Sequence, residues 1–114
     1  MTDADSSIDQ DRNAFASHAA EFWRLLRAGD SKSANLQSDA AGCIARLWSE
    51  RGRGAEFLGP LLAHDDEAVR YAAAAESLSW GEEKDAVRVL RELAQNPNGL
   101  VAPTAKLLLL KRGH

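Results

Sequence analysis

Along most of this chain, apolar residues recur every three or four positions and are separated by short polar breaks, so each stretch predicts one helix. Between Asp11 and Ala28 the recurring set is Phe15, Ala19, Phe22, Trp23 and Leu26, and Gly29 ends it. Asp30 and Ser31 offer cap oxygens to a second helix over about Lys32 to Arg51, whose expected inward stripe is Leu36, Ala40, Cys43, Ile44, Leu47 and Trp48. Gly52 and Gly54 stop it.

A shorter third helix, about Ala55 to Ala63, carries Phe57, Leu58, Leu61 and Leu62, with a bend expected at Pro60. Asp65 or Asp66 caps a fourth, in which Val69, Ala73, Ser77 and Leu78 form a narrow seam. Trp80 is expected to fill the joint between the last two helix pairs. The fifth helix, Glu82 to Gln95, presents Ala86, Val89, Leu90 and Leu93. The sixth, interrupted or started by Pro103, carries Leu100, Val101, Ala105, Leu108 and Leu109.

Shifting the chain by 31 positions aligns Leu58 with Val89, Leu62 with Leu93, Asp65 with Asn96, Val69 with Leu100, Ala74 with Ala105 and Leu78 with Leu109. A helix, a polar turn and a second helix recurring at this period signal an α-solenoid, in which neighbouring pairs bury each other's apolar faces. Residues 57–70, with a proline in the first helix, an acidic turn and Val69-Arg70 opening the second, resemble a HEAT repeat. With Ala34-Asn35 opening the second helix and Gly99-Leu100-Val101 opening the last, residues 12 to 112 resemble the bacterial HEAT-like domain-of-unknown-function family numbered two-zero-one-nine. The resemblance implies an all-α fold: a short right-handed α-α superhelix of about six helices in three antiparallel pairs. It implies no enzymatic activity, and a partner-binding face made by the second, fourth and sixth helices.

Composition changes this picture little. The 114 residues suit one domain over 11–114, preceded by an acidic lead-in over 1–10 that is expected to be disordered and resembles no targeting peptide. Leu107 to Leu110 falls far short of a membrane span. A single cysteine, Cys43, forms no internal disulfide, which points to a reducing, cytoplasmic setting. The net charge of −3 argues against a nucleic-acid binder working through bulk positive charge.

Charge is unevenly spread. Glu56 to Asp85 holds eight acids against two bases, a net −6, whereas Ala86 to His114 holds five bases against one acid, a net +4. The acidic stretch supplies candidate partner-binding residues: Asp65, Asp66, Glu67, Glu76, Glu82 and Glu83, with Tyr71 as an aromatic anchor. Glu76 stands out because Ala72 and Ala75 leave room around it. Arg70 is expected to form a structural ladder with the carboxylate of Asp65, Asp66 or Asp39. His18, His64 and His114 show no chelating spacing, and no phosphate loop, nucleophile motif or cofactor signature occurs, so no catalytic, metal or cofactor residues are assigned.

These observations lead to a non-catalytic protein-binding module, foremost an immunity-type inhibitor docking on a toxin with a basic face. Two alternatives stay open. One is an adaptor self-associating through the aliphatic last helix. The other is a nucleic-acid binder using Arg88, Arg91, Lys106, Lys111 and Arg112 as a basic edge.

Overall fold

A computed structural model describes residues 3–81 and 83–114. The fold is all-helical, with six helices and no strand among the described residues: α1 (Asp3–Arg27), α2 (Ser31–Glu50), α3 (Gly54–Leu62), α4 (Glu67–Ser79), α5 (Glu83–Gln95) and α6 (Ala102–Lys111). Each helix packs on the next along the chain, and α1 also reaches α3 and α4. The radius of gyration is 13.7 Å, close to the ~13 Å of a globular chain of about this length.

The helix limits follow local chemistry. Asp30 caps α2 by accepting the Ser33 N–H at 3.1 Å, and Asp66 caps α4 by accepting the Ala68 N–H at 2.9 Å. Gly29 and Gly81, with φ of 85° and 84°, let the chain leave α1 and α4 through left-handed backbone that other residues resist. Pro103 lies in the first turn of α6, where its missing N–H costs no helical hydrogen bond, so it starts that helix rather than interrupting it.

Two apolar clusters make the core. Phe15, Ala45, Trp48, Phe57, Leu61 and Val69 centre the first; Ala74, Leu78, Leu90, Val101 and Ala105 centre the second, and Leu62 packs against both. Helix α4 joins them because successive residues on a helix point about 100° apart. Ala73 therefore faces one cluster and Ala74 the other. The expected α4 seam of Val69, Ala73, Ser77 and Leu78 is buried, and the Ser77 hydroxyl is satisfied by donating to the Ala73 carbonyl at 2.9 Å.

Polar side chains tie the first cluster across helices. The Trp48 indole donates to Asp11 at 2.8 Å and its ring stacks on Phe57, while Arg12 of α1 donates to the Phe57 carbonyl at 3.0 Å and the Glu56 carbonyl at 2.6 Å. This arginine pins α1 to α3.

Several expectations need correction. The lead-in over 1–10 is helical from Asp3, and Ile8 is only 3% exposed within the first cluster, so the helix starts eight residues before Asp11. Helix α2 is rotated relative to the expected stripe. Its buried residues are Ala34, Ala41, Ala45 and Trp48, whereas Leu36, Cys43 and Leu47 face outward. Trp80 is 41% exposed and fills no joint. In the second copy of the 31-residue unit α6 starts late, so Leu100 is exposed where Val69 is buried, and Val101 takes the inward place.

Candidate functional site

The sequence-predicted residues divide between two ends of α4. Asp65 and Asp66 sit at its amino end, exposed, with the Asp66 side chain used as the cap. Glu67, in the first turn, is half-buried and accepts the Val101 N–H at 2.9 Å, which commits its carboxylate to the entry of α6. Glu76 lies nine residues beyond Glu67 along the helix, ~13 Å away at about 1.5 Å per residue. Glu82 lies outside the described residues, as does the side chain of Glu83. Among the described residues, the acids therefore do not form one patch.

Arg70 is structural in its contacts, but its acceptors differ from the expected carboxylates. Its guanidinium donates to the backbone carbonyls of His64 at 2.7 Å and Asp65 at 3.0 Å. The charged fork satisfies acceptors at the α3–α4 turn, a task for which no acidic side chain is needed. The histidines also have local roles: His18 bonds Gln37 at 2.7 Å, and His64 Nδ1 accepts the Asp66 N–H at 3.0 Å. Arg88, of the basic edge, pairs with Glu92 at 3.1 Å on the same helix.

What the structure does bring together is Glu76 and Tyr71. On α4, Tyr71 and Ala75, and Ala72 and Glu76, are spaced i and i+4, so the four share a half-buried side of the helix, on which Ala72 packs against the first core cluster and Tyr71 against the second. This side floors a groove of about 380 Å³. Helix α1 forms the aromatic wall with Phe22 and Trp23, while Ser38 and Ala41 of α2 and Thr104 of α6 complete it. Trp23 meets Phe22 and Tyr71 edge-on, at 5.4 and 6.1 Å between ring centroids, so the wall is a continuous aromatic surface held in one geometry.

Glu76 sets the electrostatics. Burial raises its carboxyl above the ordinary glutamate value, and the Trp80 indole and the Arg46 charge offset this only in part. Among the described residues it forms no salt bridge. The carboxylate lies beside Gly42 of α2, where an added Cβ would stand 3.4 Å from Glu76 Oε1, an ordinary contact. Burial likewise raises the Tyr71 hydroxyl. The site is an apolar, aromatic recess with one under-compensated carboxylate at its edge.

Helices α2, α4 and α6 all contribute to the groove, and the aromatic wall comes from α1, whose half-buried Trp23 lines the groove and also packs against the second core cluster. No helix of the described residues is long and apolar enough to cross a membrane. Comparison with family models, with curated proteins and with solved structures gives no match to this chain.

Proposed function

We propose that the chain is a non-catalytic protein-binding module that receives a segment of its partner in the groove between α1, α2 and α4. The observation that carries this reading is the half-buried Glu76 carboxylate beside the Phe22–Trp23–Tyr71 wall. A partly desolvated carboxylate is costly until a cation meets it. An arginine or lysine of a partner satisfies that charge, and its aliphatic stem or guanidinium plane packs on the aromatic rings.

In its more specific form the partner is a toxin with a basic face and the chain an immunity-type inhibitor of HEAT-like build. The net −6 of Glu56 to Asp85 supports this form, because net negative charge speeds encounter with a basic face even without a single acidic patch. The 31-residue spacing and the Phe57–Arg70 stretch support the HEAT-like likeness.

The test is co-expression with the protein encoded by the adjacent gene. The expected outcome is a salt-sensitive complex and relief of growth inhibition by the wild-type chain, with relief lost in Glu76→Lys at unchanged helicity. Absence of a complex at low salt, or full relief by Glu76→Lys, contradicts the proposal.

A further inference from the structure

Helix α2 carries a second apolar face. Leu36, Ala40, Cys43 and Leu47 follow one another at steps of four, three and four, the spacing of a coiled-coil seam. The inward side of the helix is taken by Ala34, Ala41, Ala45 and Trp48, which leaves this seam outside: Leu36 is 64% exposed, Leu47 is 45% exposed, and Cys43 is at the surface.

One flank of the seam bears Lys32, Asp39, Arg46 and Glu50. At about 100° per residue these four fall within an arc of roughly 40°. All four are exposed, and among the described residues none is in an internal salt bridge. Along the helix their order is basic, acidic, basic, acidic.

We propose that this face binds the same face of a second copy of the chain, antiparallel, about a two-fold axis passing between positions 41 and 42. In that register Leu36 meets Leu47 of the second copy and Ala40 meets Cys43. Lys32 stands opposite Glu50, and Asp39 opposite Arg46, so each of the four charges faces its opposite and symmetry repeats every contact. A parallel pairing sets the same flank against Gln37, Ile44 and Arg51, which offer no acid to Lys32 and place Arg46 beside Arg51. The charge order therefore selects the antiparallel arrangement.

The seam spans eleven residue steps, about 16 Å. That is short against the ~800 Å² per partner of a tight interface, so the dimer forms and dissociates with concentration. The groove opens on another side of α2, through Ser38 and Ala41, and stays accessible in the pair.

Sedimentation equilibrium of the full chain at low salt, from about 5 to 500 µM, tests this. The expected result is a weight-average mass rising from one chain towards two. Leu36→Glu with Leu47→Glu stays monomeric at unchanged helicity. Lys32→Glu alone weakens the dimer about fivefold, and adding Glu50→Lys restores it, because the pair is exchanged rather than lost. Since Cys43 is the sole cysteine, a short bismaleimide joins two wild-type chains only through Cys43, and fails on the Leu36→Glu/Leu47→Glu chain. A wild-type chain that is monomeric throughout overturns the proposal. So does a dimer that survives the double leucine change, or one abolished instead by Leu110→Glu on α6.

Discussion

The Glu67 carboxylate of α4 accepts the backbone N–H of Val101 at 2.9 Å, across 34 residues of chain. Val101 is fully buried and α6 has no side-chain cap of its own, so an acid from the neighbouring helix satisfies the polar group where α6 begins. Removing that acceptor leaves a buried N–H without a partner. Glu67→Ala is expected to cost about 1–3 kcal/mol, and Glu67→Gln, which keeps a carbonyl oxygen, clearly less. Urea unfolding followed by circular dichroism measures both; equal losses for the two variants would show that the hydrogen bond is not the cause.

Arg12 makes two hydrogen bonds to α3 carbonyls with one planar group, and a lysine ammonium does not reproduce that fork. Arg12→Lys is expected to lower stability by about 1–2 kcal/mol despite its conserved charge. A shift in urea midpoint with an unchanged slope is the expected signature. A midpoint equal to wild type would mean that α1 is held to α3 by apolar contact alone.

At the α2–α3 turn, a Cβ on Gly54 would stand 2.5 Å from Ser49 Oγ, which is itself buried without a hydrogen-bond partner. Gly54→Ala is therefore expected to destabilise by about 1–3 kcal/mol through overpacking. Ser49→Ala removes an unsatisfied hydroxyl and should be neutral or stabilising. In the double variant the Gly54→Ala penalty should shrink, because the first atom met is gone. Strictly additive free energies in the double-mutant cycle would contradict the contact.

Burial raises the Glu76 carboxyl above its ordinary value. Between the unfolded and the folded value the native state holds a proton that the unfolded chain has released, so this group's contribution is full below the ordinary glutamate range and is lost as pH rises through the folded value. Glu76→Gln is expected to match wild type at acid pH and to exceed it in stability at neutral pH. Urea midpoints at the two pH values provide the measurement; identical midpoints at neutral pH would show that the carboxylate is fully compensated in the fold.

Much of this fold is legible in the sequence because periodicity, caps and breakers agree. Asp30, Asp66, Gly29 and Gly81 mark helix ends, and the small-residue seam of α4 reads directly as a packed face. Helix α2 misleads for a physical reason. It carries two apolar stripes, and the one with larger side chains, Leu36 and Leu47, has the stronger hydrophobic signal. The inward one, Ala34, Ala41 and Ala45, is chosen because small residues permit close approach between helices. That preference depends on the distance to a neighbour, which no single helix encodes.

The candidate site was legible only in part. Tyr71 and Glu76 stand out on α4 by residue type among alanines, and the groove contains both. The acids of the α3–α4 turn resemble them in sequence but are drawn into the fold: Asp66 as a cap and Glu67 as the Val101 acceptor. Local pattern shows charge density, and only tertiary structure shows which charges are already used.

The proposed binding site is the groove rather than acidity in general. Glu76→Lys and Asp65→Lys change net charge equally, at positions inside and outside the groove. Titration calorimetry with the partner protein at fixed ionic strength compares them. Glu76→Lys is expected to weaken binding by about tenfold or more, whereas Asp65→Lys is expected to change it by about threefold or less. Equal losses for the two variants, or a larger loss for Asp65→Lys, would contradict it.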